Sequence, residues 1–262
     1  MTRSALRFLA PYCAGLLLLV AVPAALNLGY AFTDHTGLTA PRFNGLANVR
    51  RLVADPFFAA SLRASAFHVA LAVPLRLLAA AGLGLLLAAP RRGAAWYRAA
   101  VYLPTVIPDI ALALLFLWVV NPVFGPLNQA LAAAGLPQPV WLSSPLGARL
   151  AVVAMLLFPI GEGFLVVLAA RRSLNPRLYE AAAIDGCSAW LQLRRITLPL
   201  LAPVLLLLTA RDTILTLQVN FVPAYIRTDG GPNNVTLYLP LYIYDQAFEF
   251  LGFGYGAMLT VV

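Results

Sequence analysis

Five stretches of about twenty or more residues, each almost free of charge, constrain this chain more than any other feature. A bilayer hydrocarbon core about 30 Å thick takes about 20 helical residues, so each stretch is long enough to span it. The first runs from Phe8 to Phe32 without a formal charge, and the second from about Ala64 to Ala89, ending at Pro90, Arg91 and Arg92. The third covers about Ala99 to Val120 and stops at Asn121 and Pro122. The fourth covers about Leu150 to Ala170 and stops at Arg171 and Arg172. The fifth covers about Leu198 to Leu217, with Pro199 and Pro203 in its first turns. A sixth begins near Gly252 and reaches Val262, so the expectation is a helix cut short by the sequence. The first run exceeds the apolar part of a signal peptide; Pro23, Ala24 and Ala25 resemble a cleavage region only weakly, and the run reads as an anchor. The fold class expected is an all-α membrane protein, a polytopic bundle of about six transmembrane helices forming one domain over 1–262. Its outer loops are 33–63, 121–149 and 218–251.

Composition agrees. Hydrophobic residues make up 61% of the chain and charged ones 11%, with a mean hydropathy of +0.84; soluble domains carry about a quarter charged residues. All 18 basic residues are arginine, and none is lysine. That excludes a phosphate-loop lysine and a Schiff-base lysine, so any ATP that drives this chain is hydrolysed on another. The arginines flank apolar runs rather than forming a basic stripe with interleaved aromatics, which argues against a nucleic-acid partner. With the N-terminus inside, ten arginines fall in cytoplasmic segments and six outside (Arg42, Arg50, Arg51, Arg63, Arg149 and Arg227), so the positive-inside bias favours that orientation. Cys13, Cys187, His35 and His68 have no metal-ligand spacing, and the two cysteines are not expected to pair.

The segment 175–199 is too apolar for a loop and too charged for a span. Asn175 can cap a short helix with Pro176 at its first position, Gly186 can provide a left-handed turn, and Ser188 can cap a second helix carrying Trp190, Leu193 and Ile196. On physical grounds it is either a contact for a cytoplasmic partner or an interfacial anchor. The residues Glu180, Ala181, Ala182, then Gly186, then Ile196, Thr197, Leu198 and Pro199 resemble, in type and spacing, the signature of permease subunits of binding-protein-dependent ABC importers. The resemblance implies a type I importer permease fold in which this segment is the coupling helix seated in the ATPase. Glu180 would be the charged contact, Ala181 and Ala182 the close-approach positions, Gly186 the turn and Pro199 the start of the next span; Asp185 and Ile196 belong to the same segment.

Two other stretches resemble the sugar-permease branch of that family: Leu103, Pro104, Pro108, Trp118, Asn121, Pro122, Gly125 and Asn128, and Thr228 to Pro232 with Thr236, Tyr244, Phe248, Gly254 and Tyr255. The resemblance implies a second permease chain, an ABC ATPase dimer that binds ATP and magnesium, an extracytoplasmic substrate-binding protein, and a bacterial cytoplasmic (inner) membrane. No cofactor is expected in this chain.

Ionisable groups at membrane depth are functional candidates because they are costly unless they face a cavity or a partner. Arg76, Asp109, Glu162, Arg211 and Asp212 qualify. Asp109, Glu162, Arg211 and Asp212, with Trp118 as an apolar face, form a candidate solute path; Tyr225 and Tyr238 are further aromatic candidates. The same charges also read as structural pairs between helices, and that reading is the first to be expected. Arg211 and Asp212, adjacent on a helix, point about 100° apart and are expected to find different partners. The aromatic cluster from Tyr238 to Tyr255 reads as an interfacial belt. The rival function is an ion-coupled secondary transporter with Asp109, Glu162 and Asp212 carrying protons. An intramembrane enzyme lacks support, because Gly-x-Ser-x-Gly and His-Glu-x-x-His are absent.

Overall fold

The computed structural model describes residues 3–90, 92–219, 224–225 and 230–262. Arg91, Arg227, Thr228 and Asp229, which the sequence analysis used, lie outside the described residues, as do the side chains of Arg3 and Arg7. Among the described residues the secondary structure is helical apart from one isolated bridge, Thr33 with Phe43. The chain divides into two compact units, 1–60 with 239–262, and 61–238.

In the first unit, α1 (Arg3–Leu16) runs through a π-turn at Leu17–Ala21 into α2 (Val22–Tyr30). The apolar helix from Phe8 to Tyr30 is 23 residues long, and its most apolar window buries nothing within the chain. Phe8 is 89% and Leu19 79% exposed, which suits a helix facing lipid or another subunit. The expected first outer loop holds α3 (Ala47–Ala54), and its last residues open α4 (Pro56–Leu86). α13 (Leu239–Tyr244) and α14 (Phe253–Val261) complete this unit. Asn48 ties it together by donating to the carbonyls of Ala31 and Thr33, each at 2.8 Å. Gly254 is required here, since a Cβ would come within 2.1 Å of the Thr33 carbonyl.

In the second unit, α4 continues through Leu86, followed by α5 (Ala94–Tyr102), α6 (Asp109–Val119), α7 (Pro126–Ala133) and α8 (Pro145–Leu157). Then come α9 (Gly161–Ser173), α10 (Pro176–Ile184), α11 (Ala189–Gln192) and α12 (Leu198–Val219). Its core is built where α4, α9 and α12 meet. Ala80 packs with Phe164 and Leu168, and Val167 with Leu201 and Leu208. Small residues let α4 and α9 approach closely, because a Cβ on Gly84 would stand 2.8 Å from Val167.

Two expected straight spans are broken. The third bends by 99° between Val106 and Asp109, and the fourth by 48° between Leu157 and Gly161. Pro108 and Pro159 stand in the breaks, where proline removes an N–H and cannot continue the preceding turn. The fifth span departs in the opposite sense. The second helix of the 175–199 segment does not stop before it: α11, a π-turn at Leu193–Thr197 and α12 form one helix from Ala189 to Gln218. Pro199 lies inside this helix, so it does not start the helix.

Candidate functional site

The two breaks meet. Gly161 donates its backbone N–H to Thr105 Oγ1 at 2.9 Å, and a Cβ on Gly161 would fall 2.3 Å from that oxygen, so only glycine permits the approach. Arg76 of α4 donates to the carbonyl of Pro159 at 3.1 Å, satisfying an acceptor that the broken helix leaves free. Backbone that departs from helix at membrane depth is tolerated where it is buried in protein or lines a cavity. Here a cavity of about 220 Å³ is lined by Arg76, Thr105, Asp109, Glu162 and Thr216, with apolar side chains between them. Asp109 and Glu162 fall in the first turns of α6 and α9, where the helix macrodipole favours a carboxylate.

Around this cavity the charges form a chain. Asp212, 4% exposed, lies 3.9 Å from Arg76 Nε and accepts from Arg211 Nη1 at 3.0 Å. Arg211 also donates to Glu162. Arg211 and Asp212 do reach different partners, Glu162 on α9 and Arg76 on α4, and beyond that expectation the long arginine side chain also pairs with its neighbour Asp212. Asp109 alone of these acids has no ion-pair or hydrogen-bond partner among the described residues. The five groups comprise three acids and two arginines, so one negative charge is left over at the cavity. The unpaired Asp109 carboxylate and the hydroxyls of Thr105 and Thr216 beside donor-bearing guanidinium groups are the equipment for binding a polyhydroxylated solute.

The aromatic candidates fare differently. Trp118 is half exposed near the far end of α6 and does not line the cavity. Tyr238 is buried, its hydroxyl 3.2 Å from His68 Nδ1, so it offers no open face. Tyr225 is exposed and also does not line the cavity. The interfacial belt from Tyr238 to Tyr255 is likewise corrected: Tyr238, Tyr242 and Tyr255 are buried, and only Phe248 and Phe250 among its large residues are strongly exposed. Asn128 and Asn121, noted in the third-helix pattern, build the following loop. Asn128 holds the carbonyls of Pro122 and Pro139 and accepts from Trp141, while Asn121 caps the turn at Val123 and Phe124. Sequence reasoning missed Thr105 and Thr216, whose isolated hydroxyls inside apolar runs gave no periodic signal.

The 175–199 segment forms a helical hairpin. Asn175 accepts from Arg177 N at 3.0 Å with Pro176 at the first position, and Ser188 accepts from Leu191 N. Gly186 has φ +77°, the left-handed turn between the helices. Glu180, Ala181, Asp185 and Gly186 are exposed, Ile196 is half-buried and Ala182 is buried. Beside them Ile184 is 87% and Trp190 68% exposed, leaving an apolar face with an acid at its edge and no cover among the described residues. Tyr179 fixes the two halves by a 2.9 Å hydrogen bond to Thr197 Oγ1.

Residues 80–262 match the family described as binding-protein-dependent transport system inner membrane component. The lactose transport system permease protein LacF of Rhizobium radiobacter is 32% identical over 97% of this chain and 87% of its own length. The diacetylchitobiose uptake system permease protein NgcF of Streptomyces coelicolor is 30% identical over 98% and 77%. A chain of a bacterial ABC transporter that imports the acidic polysaccharide alginate superposes with a TM-score of 0.84 at 22% identity, over 97% of this chain and 87% of that one. That likeness shows the fold.

Proposed function

Since this chain belongs to the binding-protein-dependent transport system inner membrane component family, the permease subunits of ABC importers, we propose that it passes a neutral sugar or sugar-like solute through the cavity at Arg76, Asp109 and Glu162. The observation that carries this reading is the meeting of two broken helices around that cavity. A straight bundle would need no such breaks, and Asp109, Glu162 and Thr216 line the cavity beside them, where a hydroxylated solute can use them. The lactose and diacetylchitobiose permeases support the sugar class.

In this reading a second permease chain completes the path, an extracytoplasmic binding protein delivers the solute, and two ATPase subunits on the cytoplasmic face of the membrane supply the work with ATP and magnesium. The exposed hairpin face around Glu180, Ala181, Asp185 and Ile184 receives the ATPase. ATPase closure shifts the population between inward- and outward-open packings, and the hairpin transmits it through Tyr179 and Thr197 into α12, which carries Arg211 and Asp212. The continuous helix from Ala189 to Gln218 makes this transmission direct.

The test is uptake by the reconstituted transporter. Glu180→Arg is expected to abolish solute-stimulated ATP hydrolysis and uptake together while the chain still inserts. Uptake that survives inactivation of the ATPase but collapses with the membrane potential would instead support ion coupling through Asp109, Glu162 and Asp212.

A further inference from the structure

A second cleft, of about 410 Å³, opens at the other end of α9. Its floor is apolar, from Leu85, Ala88, Ala89 and Leu174, and its rim carries Arg171 and Arg172 in the last turn of α9. Among the described residues no acidic residue lines it. Among the described residues neither guanidinium forms an ion pair or donates a hydrogen bond to protein oxygen. Arg171 instead lies 4.1 Å over the ring of Tyr179, a wall of the cleft. Arginines near a helix C-terminus are favoured by the macrodipole, but that leaves unexplained why they border an apolar cleft where two spans end. Arg98 shows the contrast: it spends its donors on the carbonyl of Leu87, at 3.1 and 2.7 Å, at the end of the neighbouring helix.

We propose that this cleft binds one anionic phospholipid, its phosphodiester accepting from Arg171 and Arg172 and its acyl chains covering the apolar floor. Guanidinium groups fit a phosphate oxygen pair in plane, and a cleft where apolar spans meet water presents the lipid's two chemistries in the right order. The site is joined to the hairpin, because Tyr179 both stacks under Arg171 and bonds Thr197. A bound headgroup restrains Arg171, and through it the ring that holds α10 to the start of α12. Anionic lipid therefore raises the coupling of ATP hydrolysis to solute, an effect that rests on the importer reading, whereas the lipid site itself does not.

The experiment uses the assembled transporter in nanodiscs of phosphatidylcholine with or without phosphatidylglycerol. Lipid retained after detergent extraction is read by native mass spectrometry, and solute-stimulated ATP hydrolysis is read in parallel. Retention of phosphatidylglycerol is expected for the unaltered chain, falling roughly tenfold or more in the Arg171→Gln/Arg172→Gln double variant and also in Ala88→Phe, which fills the floor and keeps both charges. Equal retention in both variants overturns the site. Stimulation of hydrolysis by inorganic phosphate in phosphatidylcholine alone would assign the arginines to a free anion and overturn the lipid. Retention lost without any change in hydrolysis overturns the effect on the hairpin and leaves the lipid site standing. Absence of solute-stimulated hydrolysis with lipid retention intact overturns the importer reading alone, because retention is read as bound mass and not as activity.

Discussion

Each of the two compact units contains a polar network, and the two are built on opposite plans. In the unit of 1–60 and 239–262, Asp55 accepts from the hydroxyls of Tyr242 and Tyr255 and from Phe57 N at 2.9 Å, while Arg51 lies 3.9 Å over the Tyr255 ring and donates to Gln246 at 2.9 Å. Its acid and its arginine are thus both engaged. In the unit of 61–238, the network of Arg76, Glu162, Arg211 and Asp212 adjoins a cavity and leaves Asp109 without a partner among the described residues. A closed network fixes a fold, whereas one with unspent groups facing a cavity is equipped for a ligand. The difference separates a structural latch from a solute path, and it can be attacked from either side.

The largest effect is expected at Arg76, which serves both roles in the open network. Arg76→Met removes a partner of the buried Asp212 and the donor to Pro159. Breaking one side of a buried ion pair costs about 3–5 kcal/mol where no other partner remains. Arg211 stays beside Asp212, so a smaller fall in thermal stability is expected, together with loss of most uptake. Normal uptake would show that the cavity is a structural pocket like the latch.

Asp109→Asn comes next. It removes the surplus charge without disturbing any ion pair, so stability should hold while uptake changes severalfold and its preference between neutral and anionic sugars narrows. A destabilised but equally active variant would place Asp109 among the structural groups.

Much of this was legible in the sequence, and for identifiable reasons. Asn175, Pro176, Gly186 and Ser188 act through local backbone geometry, so their pattern announced the hairpin. The membrane-depth charges stood out because each interrupts an apolar run. The breaks did not, although Pro108 stood in the third-helix pattern, because hydropathy averaged over twenty residues passes smoothly over two or three that leave the helix. The burial of Tyr238, Tyr242 and Tyr255 depended on neighbours distant in sequence: His68 for the first, Asp55 for the other two. A tyrosine-rich stretch before an apolar run has the composition of a belt whether its rings face lipid or protein.

The smallest effect tests the latch by pH. Burial by itself would raise the Asp55 carboxyl, but the hydrogen bonds from Tyr242 and Tyr255 and from the Phe57 and Phe58 amides outweigh it and hold Asp55 below its ordinary value of 3.8. Burial and the neighbouring Asp55 carboxylate push Tyr242 well above its ordinary range, so its proton stays in place to be donated. A depressed carboxyl stabilises the fold above its unfolded value, and that stabilisation is lost as pH falls through the folded value. The thermal midpoint of the detergent-solubilised chain should therefore begin to drop about one pH unit above 3.8 and continue below it. Asp55→Asn keeps an acceptor but not the charge, so its midpoint at neutral pH should be lower and its acid slope shallower, with uptake at neutral pH nearly unchanged. A variant with the same acid slope as the unaltered chain would show that other carboxylates set it. A large loss of uptake would mean that the closed network also moves during transport, and the contrast between latch and path would fail.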